Sequence, residues 1–132
     1  MKSNIIVSLI LMSFLISCGK DKSEQLTGAW KVQWVTDPSS YNDVDPSTNF
    51  TMNGKFTFDT DGKLTIDAYG HENCIFSNDT LSHSLNWELK NDTLNTFNDK
   101  DIHGISYRIL ELSDDKVKLH MMDDIFLHLT RE

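Results

Sequence analysis

Alternation of apolar and polar side chains with a period of two constrains this chain more than any other feature of its sequence. In the clearest case, Trp30, Val32 and Trp34 alternate with the polar residues Lys31 and Gln33. This alternation predicts a half-buried strand rather than a helix. Two indoles on one face of that strand would give the remaining strands a large apolar surface to close over.

The same alternation recurs along the rest of the chain, in short segments separated by polar turns. The predicted inward-facing residues are Phe50, Met52, Phe56 and Phe58, then Leu64, Ile66 and Ala68, then Leu81, His83, Leu85, Trp87 and Leu89, then Ile105, Tyr107 and Ile109, then Val117, Leu119 and Met121, and finally Ile125, Leu127, Leu129 and Arg131. Residues 73–77 and 93–97 predict two further short strands. No amphipathic helix is predicted after residue 18.

Eight or nine short strands with local connections predict an all-β fold built as an antiparallel up-and-down meander. Each strand has one apolar face, and its other face is polar. This favours closure into a single small barrel over a two-layer sandwich.

Two irregularities are predicted within these strands. The Asn53-Gly54 pair is typical of a hairpin turn, but such a hairpin would set apolar residues against polar ones at each step. Residues 50–58 are therefore predicted to form one strand with Gly54 as a bulge or bend. In the strand that starts at Ile105, the apolar parity switches at Leu110, which predicts a second bulge.

An apolar run at residues 5–16 follows the single charge of Lys2. The run is shorter than the roughly 20 residues of a membrane-spanning helix, so it predicts a secretory signal. The sequence Leu-Ile-Ser-Cys at residues 15–18 resembles the lipobox of bacterial lipoproteins, in which signal peptidase II cleaves before the cysteine. The alternative is a plain signal peptide with a cysteine near the cleavage site by chance.

The lipobox resemblance implies a lipid attached to Cys18 and a particular division of the chain. Residues 1–17 would be the signal peptide, residues 18–25 a lipidated polar tether, and residues 26–132 a single domain. It also implies a protein of the Gram-negative cell envelope, anchored by its lipid to the outer membrane on the periplasmic or cell-surface face.

The charge balance limits the partners of this chain. It carries 20 acidic and 12 basic side chains, for a formal net charge of −8. Such a surface argues against nucleic acid and against docking on anionic headgroups, and it favours a soluble monomeric domain. With Cys18 committed to lipid, Cys74 is left single, so no disulfide within the chain is expected.

The order of elements resembles the lipocalin-like domain of the calycin superfamily. The residues that carry the resemblance are Gly28-Ala29-Trp30 on the first strand, a long first loop, and the stretches at 56–64 and 107–112. In that superfamily a first-strand tryptophan closes the barrel floor, and a basic residue near the C-terminus packs over it. The resemblance therefore implies that Trp30 and Arg131 form a barrel-closing structural pair.

Two functions fit such a barrel. In the first, it binds a small hydrophobic or amphipathic molecule, with the loop at residues 36–49 as a lid. The candidate ligand-binding residues are Trp34, Phe56, Phe58, His83, Trp87 and Tyr107. In the second, the aromatic residues fill the core, and the domain is an interaction module or inhibitor whose acidic loops meet another cell-envelope protein.

His83 lies among leucines on a face predicted to point inward. A buried imidazole needs a hydrogen-bond partner or a water-filled cavity, so this residue is either a satisfied core histidine or a ligand contact.

No metal, cofactor or catalytic site is predicted. His120 and His128 lie on consecutive strands, but diagonally and without a third ligand. The chain has no nucleophile elbow, glycine-rich phosphate loop or zinc-protease spacing, so we expect no catalytic residues.

Overall fold

Eight strands, each paired antiparallel with the next along the chain, close into one barrel. The computed structural model describes residues 19–37, 51–70, 80–99 and 104–132. The elements are α1 (Lys22–Leu26), β1 (Gly28–Thr36), β2 (Met52–Phe58), β3 (Lys63–Gly70), β4 (Leu81–Lys90), β5 (Thr93–Phe97), β6 (Ile105–Leu112), β7 (Lys116–Met122) and β8 (Ile125–Arg131).

Pairing between the first and last strands closes the barrel. β1 pairs with β2 on one side and with β8 on the other, and Trp30 lies opposite both Phe56 and Arg131. The predicted antiparallel meander barrel is confirmed, with eight strands in the described residues. The strand predicted at residues 73–77 and most of the predicted lid loop, residues 38–49, lie outside the described residues.

The inward faces of the strands meet in a single core. The buried apolar side chains are Leu26, Trp30, Val32, Phe56, Phe58, Leu64, Ile66, Leu94, Tyr107, Val117, Leu119, Leu127 and Leu129. These are the residues that period-two alternation places on one face, with Leu26 added from α1. Burying each large apolar side chain contributes about 1.5–3 kcal/mol, so this core is the main source of stability.

Both predicted irregularities are present. The register of β2 against β3 shifts between Asn53 and Gly54, within a single strand. The register of β6 against β7 shifts between Ile109 and Glu111, which leaves Leu110 exposed at the bulge. The shift of the apolar alternation at Leu110 therefore indicates an extra residue in the strand, and not a second buried face.

The helical turn α1 lies mostly within residues 18–25, for which the sequence predicts a polar tether and no amphipathic helix. Leu26, at its end, is fully buried, and the indole Nε1 of Trp30 donates a hydrogen bond to the Leu26 carbonyl oxygen at 2.7 Å. A helix of five residues is too short to show a periodic pattern, and tertiary contacts stabilise it. No helix in the described ranges is long and apolar enough to cross a membrane.

Gly54 allows the Trp34 ring to lie against β2, which yields a first prediction. A Cβ atom on Gly54 would clash with the backbone carbonyl oxygen of Asp67 and would stand 2.6 Å from Cζ3 and 2.8 Å from Cη2 of Trp34. Gly54→Ala should therefore lower the free energy of unfolding by about 1–3 kcal/mol, measured by urea denaturation. Gly19→Ala is the control, because a Cβ there meets no atom within 4 Å. Equal stability of the two variants would contradict the prediction.

Candidate functional site

One end of the barrel, here called the floor, is sealed by Trp30, Arg131 and α1. The Arg131 guanidinium carbon lies 3.8 Å from the centre of the Trp30 ring. The same guanidinium donates hydrogen bonds to the carbonyl oxygens of Thr27 (2.6 Å), Gln25 (2.5 Å) and Asp114 (2.9 Å). The structure thus brings the two residues of the predicted barrel-closing pair into contact. A cation over an indole contributes about 0.5–2 kcal/mol, and the hydrogen bonds fix α1 across the floor.

At the opposite end, here called the mouth, apolar side chains of the inner face are exposed. The mouth residues are Trp34, Met52, Ala68, Leu81, His83 and Ile105. Leu81 is 67% exposed and Ile105 is 48% exposed. Both belong to the inner face, because residues paired directly across antiparallel strands share a face. Leu81 pairs with Ala68, and Ile105 pairs with the buried Thr96.

Exposure falls sharply from the mouth towards the floor. Along β6 it drops from 48% at Ile105 to 3% at Tyr107, two residues further along the same face. Along β2, Met52 is half-buried, whereas Phe56 and Phe58 are fully buried. The barrel therefore has a packed lower half, and above it lies the exposed apolar surface of the mouth residues, here called the cup.

Four aromatic rings of the inner face run from the mouth into the core in edge-to-face contacts. Ring centres are separated by 5.5 Å between Trp34 and Phe56, 6.0 Å between Phe56 and Phe58, and 5.2 Å between Phe58 and Trp87. Since such contacts favour a fixed arrangement, the rings hold one another in place. Trp34 and Trp87 are the two ends of this row, and both are half-buried, so each keeps some exposed surface.

Three of the predicted ligand-binding residues lie in the packed half. Phe56, Phe58 and Tyr107 have almost no exposed surface, so no water-sized space adjoins them. A ligand would touch them only by displacing core side chains. Alternation with period two identifies the inner face of each strand, but it does not show how far the core packing extends along that face.

His83 is exposed in the structure and is not a buried core histidine. It pairs with Ile66 and therefore belongs to the inner face, as predicted, but it lies at the mouth, where solvent reaches it. Its imidazole is a polar group beside the exposed Leu81. Met52, Leu81 and Ile105 were missed as site residues, although the alternation placed them on the inner face. The sequence does not show at which end of the barrel the inner-face residues are exposed.

Two polar groups of the inner face are held in apolar surroundings. Burial raises the pKa of the Tyr107 hydroxyl from 10.0 to about 12. The indole Nε1 of Trp87 is buried without a hydrogen-bond partner in the described part of the chain. An unpaired buried donor costs about 1–3 kcal/mol. A hydrogen-bond acceptor that reached this nitrogen would therefore gain binding free energy of up to that size.

The two histidines of β7 and β8 are arranged diagonally. His120 pairs with Phe126 and stacks on its ring with centres 4.8 Å apart, while His128 pairs with Lys118. Among the residues that the structure describes, no group of three or more His, Cys, Asp or Glu side chains is placed to hold a metal ion.

A closed eight-stranded meander with a plugged floor and an open apolar mouth defines a barrel of the lipocalin type. Residues 26–119 match the family described as the lipocalin-like domain, and the chain belongs to that family. No curated protein matches the chain.

Two solved structures resemble the barrel. A lipocalin-like protein from Bacteroides uniformis has 15% sequence identity and a TM-score of 0.55, with 82% of this chain and 99% of that chain covered. This likeness supports the same fold. A mutant of the fluorescent protein UnaG has 13% identity and a TM-score of 0.41, with 83% and 96% of the two chains covered.

The buried Tyr107 predicts a loss of stability in alkali. The pKa of its hydroxyl is about 12 in the folded protein and 10.0 for an ordinary tyrosine, so the unfolded chain releases the proton first. Stability from this group is present below pH 10 and is lost as the pH rises towards 12, by roughly 2–3 kcal/mol. Tyr107→Phe should flatten the fall in unfolding free energy over that window.

The matched control is Tyr69→Phe, because Tyr69 is 48% exposed and lies outside the core. Urea denaturation at several pH values measures the effect. A wild-type slope retained in Tyr107→Phe would show that the group is not responsible.

Proposed function

We propose that this protein is a lipid-anchored, non-catalytic lipocalin-like protein that binds a small hydrophobic or amphipathic molecule in the mouth of its barrel. One observation carries the proposal. Leu81 and Ile105 belong to the inner face of the barrel, yet 67% and 48% of their surfaces are exposed. Covering apolar surface contributes about 25 cal/mol per Å², so an apolar ligand seated there gains affinity from surface that the protein's own core does not bury.

The depth of the cup limits the ligand. Below the mouth, Phe56, Phe58 and Tyr107 fill the barrel, so the apolar part of the ligand occupies the upper half and ends against the rings of Trp34 and Phe56. A short or compact apolar group fits this space better than a long extended chain.

His83 supports an amphipathic ligand. It is the titratable member of the mouth residues, and it stands at the solvent end of the inner face beside Leu81. A ligand with its apolar part in the cup would hold its polar group near this imidazole.

The anchor rests on the lipobox-like residues 15–18 after a short apolar run. Several acyl chains on Cys18 would give a stable attachment, because each buried methylene contributes about 0.8 kcal/mol. We place the protein at the outer membrane of a Gram-negative cell, on its periplasmic or outer face.

The mouth predicts the effect of one substitution on ligand binding. Ile105→Asn should weaken binding of the apolar fluorescent probe N-phenylnaphthylamine about five- to tenfold, because it removes apolar contact from the cup. Leu110→Asn is the control, since Leu110 is 45% exposed but lies at the β6 bulge, away from the mouth. Fluorescence titration of the three proteins measures the affinities.

Equal binding by all three proteins, or no binding by the wild type, would contradict a ligand site in the mouth. The packed lower half favours a second candidate in that case, a protein-interaction module of the cell envelope. Its exposed apolar mouth and acidic turns would then meet a protein surface.

The anchor predicts a separate effect. Cys18→Ala should remove the protein from the membrane fraction, because the thioether that carries the acyl chains cannot form. Fractionation with a high-salt wash measures this, and Cys74→Ala is the matched control that keeps Cys18. A Cys18→Ala protein that still sediments with membranes would contradict lipid anchoring.

A further inference from the structure

We infer that the anchored barrel stands on its floor, with its mouth facing away from the membrane that holds Cys18. This inference rests on the proposed lipid anchor and adds the orientation of the site. Its consequence is that the mouth meets ligand from the aqueous compartment or from a facing partner, and not from the bilayer beneath it.

The first ground is that the chain enters the fold through the floor. α1 ends at the buried Leu26, and Arg131 binds the carbonyl oxygens of Gln25 and Thr27 on either side of it. The mouth lies at the other end of β1, beyond Trp34. The segment that leads to the lipid therefore leaves the barrel at the end opposite the mouth.

The second ground is that two lysines hold this segment against turns at the floor. Lys22 Nζ lies 2.6 Å from Asp92 Oδ1 in the turn between β4 and β5, and its hydrogen bond lowers the pKa of that carboxyl. Lys20 Nζ lies 3.7 Å from Asp114 Oδ1 in the turn between β6 and β7. Each exposed ion pair contributes little to stability. The two together hold the segment near the floor, where α1 is already packed.

The third ground is that the remaining chain is too short to reach the mouth. Only Gly19 lies between Lys20 and Cys18, and the two Cα–Cα steps span at most about 7 Å. A seven-residue strand such as β8 spans roughly 20 Å, or about 15 Å along the axis of a barrel whose strands tilt by about 40°. The lipid can therefore reach the bilayer below the floor but not a bilayer at the mouth.

Energy transfer from the barrel to the membrane surface tests this orientation. The full lipidated chain carrying Cys74→Ser would receive one added cysteine, either Thr60→Cys in the exposed turn between β2 and β3 or Asp123→Cys in the exposed turn between β7 and β8. Thr60 lies at the floor end and Asp123 at the mouth end. Each is labelled with a donor fluorophore, and the proteins are reconstituted into phosphatidylethanolamine–phosphatidylglycerol vesicles that carry headgroup acceptors.

The expected result is more efficient transfer from position 60 than from position 123. Inserting a flexible Gly-Ser segment of about 12 residues after Gly19 should abolish the difference, since its mean span of roughly 20 Å exceeds the height of the barrel. Equal or reversed efficiencies in the uninserted chain would overturn the orientation while leaving the anchor intact. Failure of the lipidated chain to bind vesicles at all would overturn the anchor, and the orientation with it.

Discussion

The contact between Arg131 and Trp30 is the interaction on which the rest of the barrel depends. It joins the last strand to the first at the point where the sheet closes, and the same guanidinium fixes the chain entering through α1. Planar geometry and several donors let one arginine serve the ring and three carbonyl oxygens together, which a lysine could not do. The sealed floor completes the core at that end, while the inner-face residues Leu81 and Ile105 stay exposed at the other.

The packed core and the proposed binding surface are thus separated along the axis of the barrel. Fully buried rings and aliphatic side chains occupy the lower half, whereas the same inner face continues upward into exposed Leu81 and Ile105. Substitutions near the floor are expected to lower the stability of the fold, whereas substitutions at the mouth leave the core intact and would alter only the proposed binding surface. The row of rings from Trp34 to Trp87 connects the two halves, so the shape of the cup is set by the packing beneath it.

The fold could be predicted from the sequence because every strand repeats the same simple pattern. Alternation identified the inner face, and the positions of Gly54 and Leu110 identified the two bulges. The helix α1 could not be predicted, since its five residues are stabilised by Arg131 from the far end of the chain. The depth of the site was likewise not predictable. Whether Phe58 or Ile105 meets solvent depends on how far the strands are staggered around the barrel, and a strand's own sequence does not contain that information.

Closure of the barrel by its last strand also determines when folding can finish. Arg131 binds the carbonyl of Thr27, 104 residues earlier, so the floor forms only after nearly the whole chain is available. Contacts this distant in sequence make folding slow, because the loop must close before the contact is gained. The barrel can therefore be completed only when the C-terminal residues of the chain are available to pair with β1.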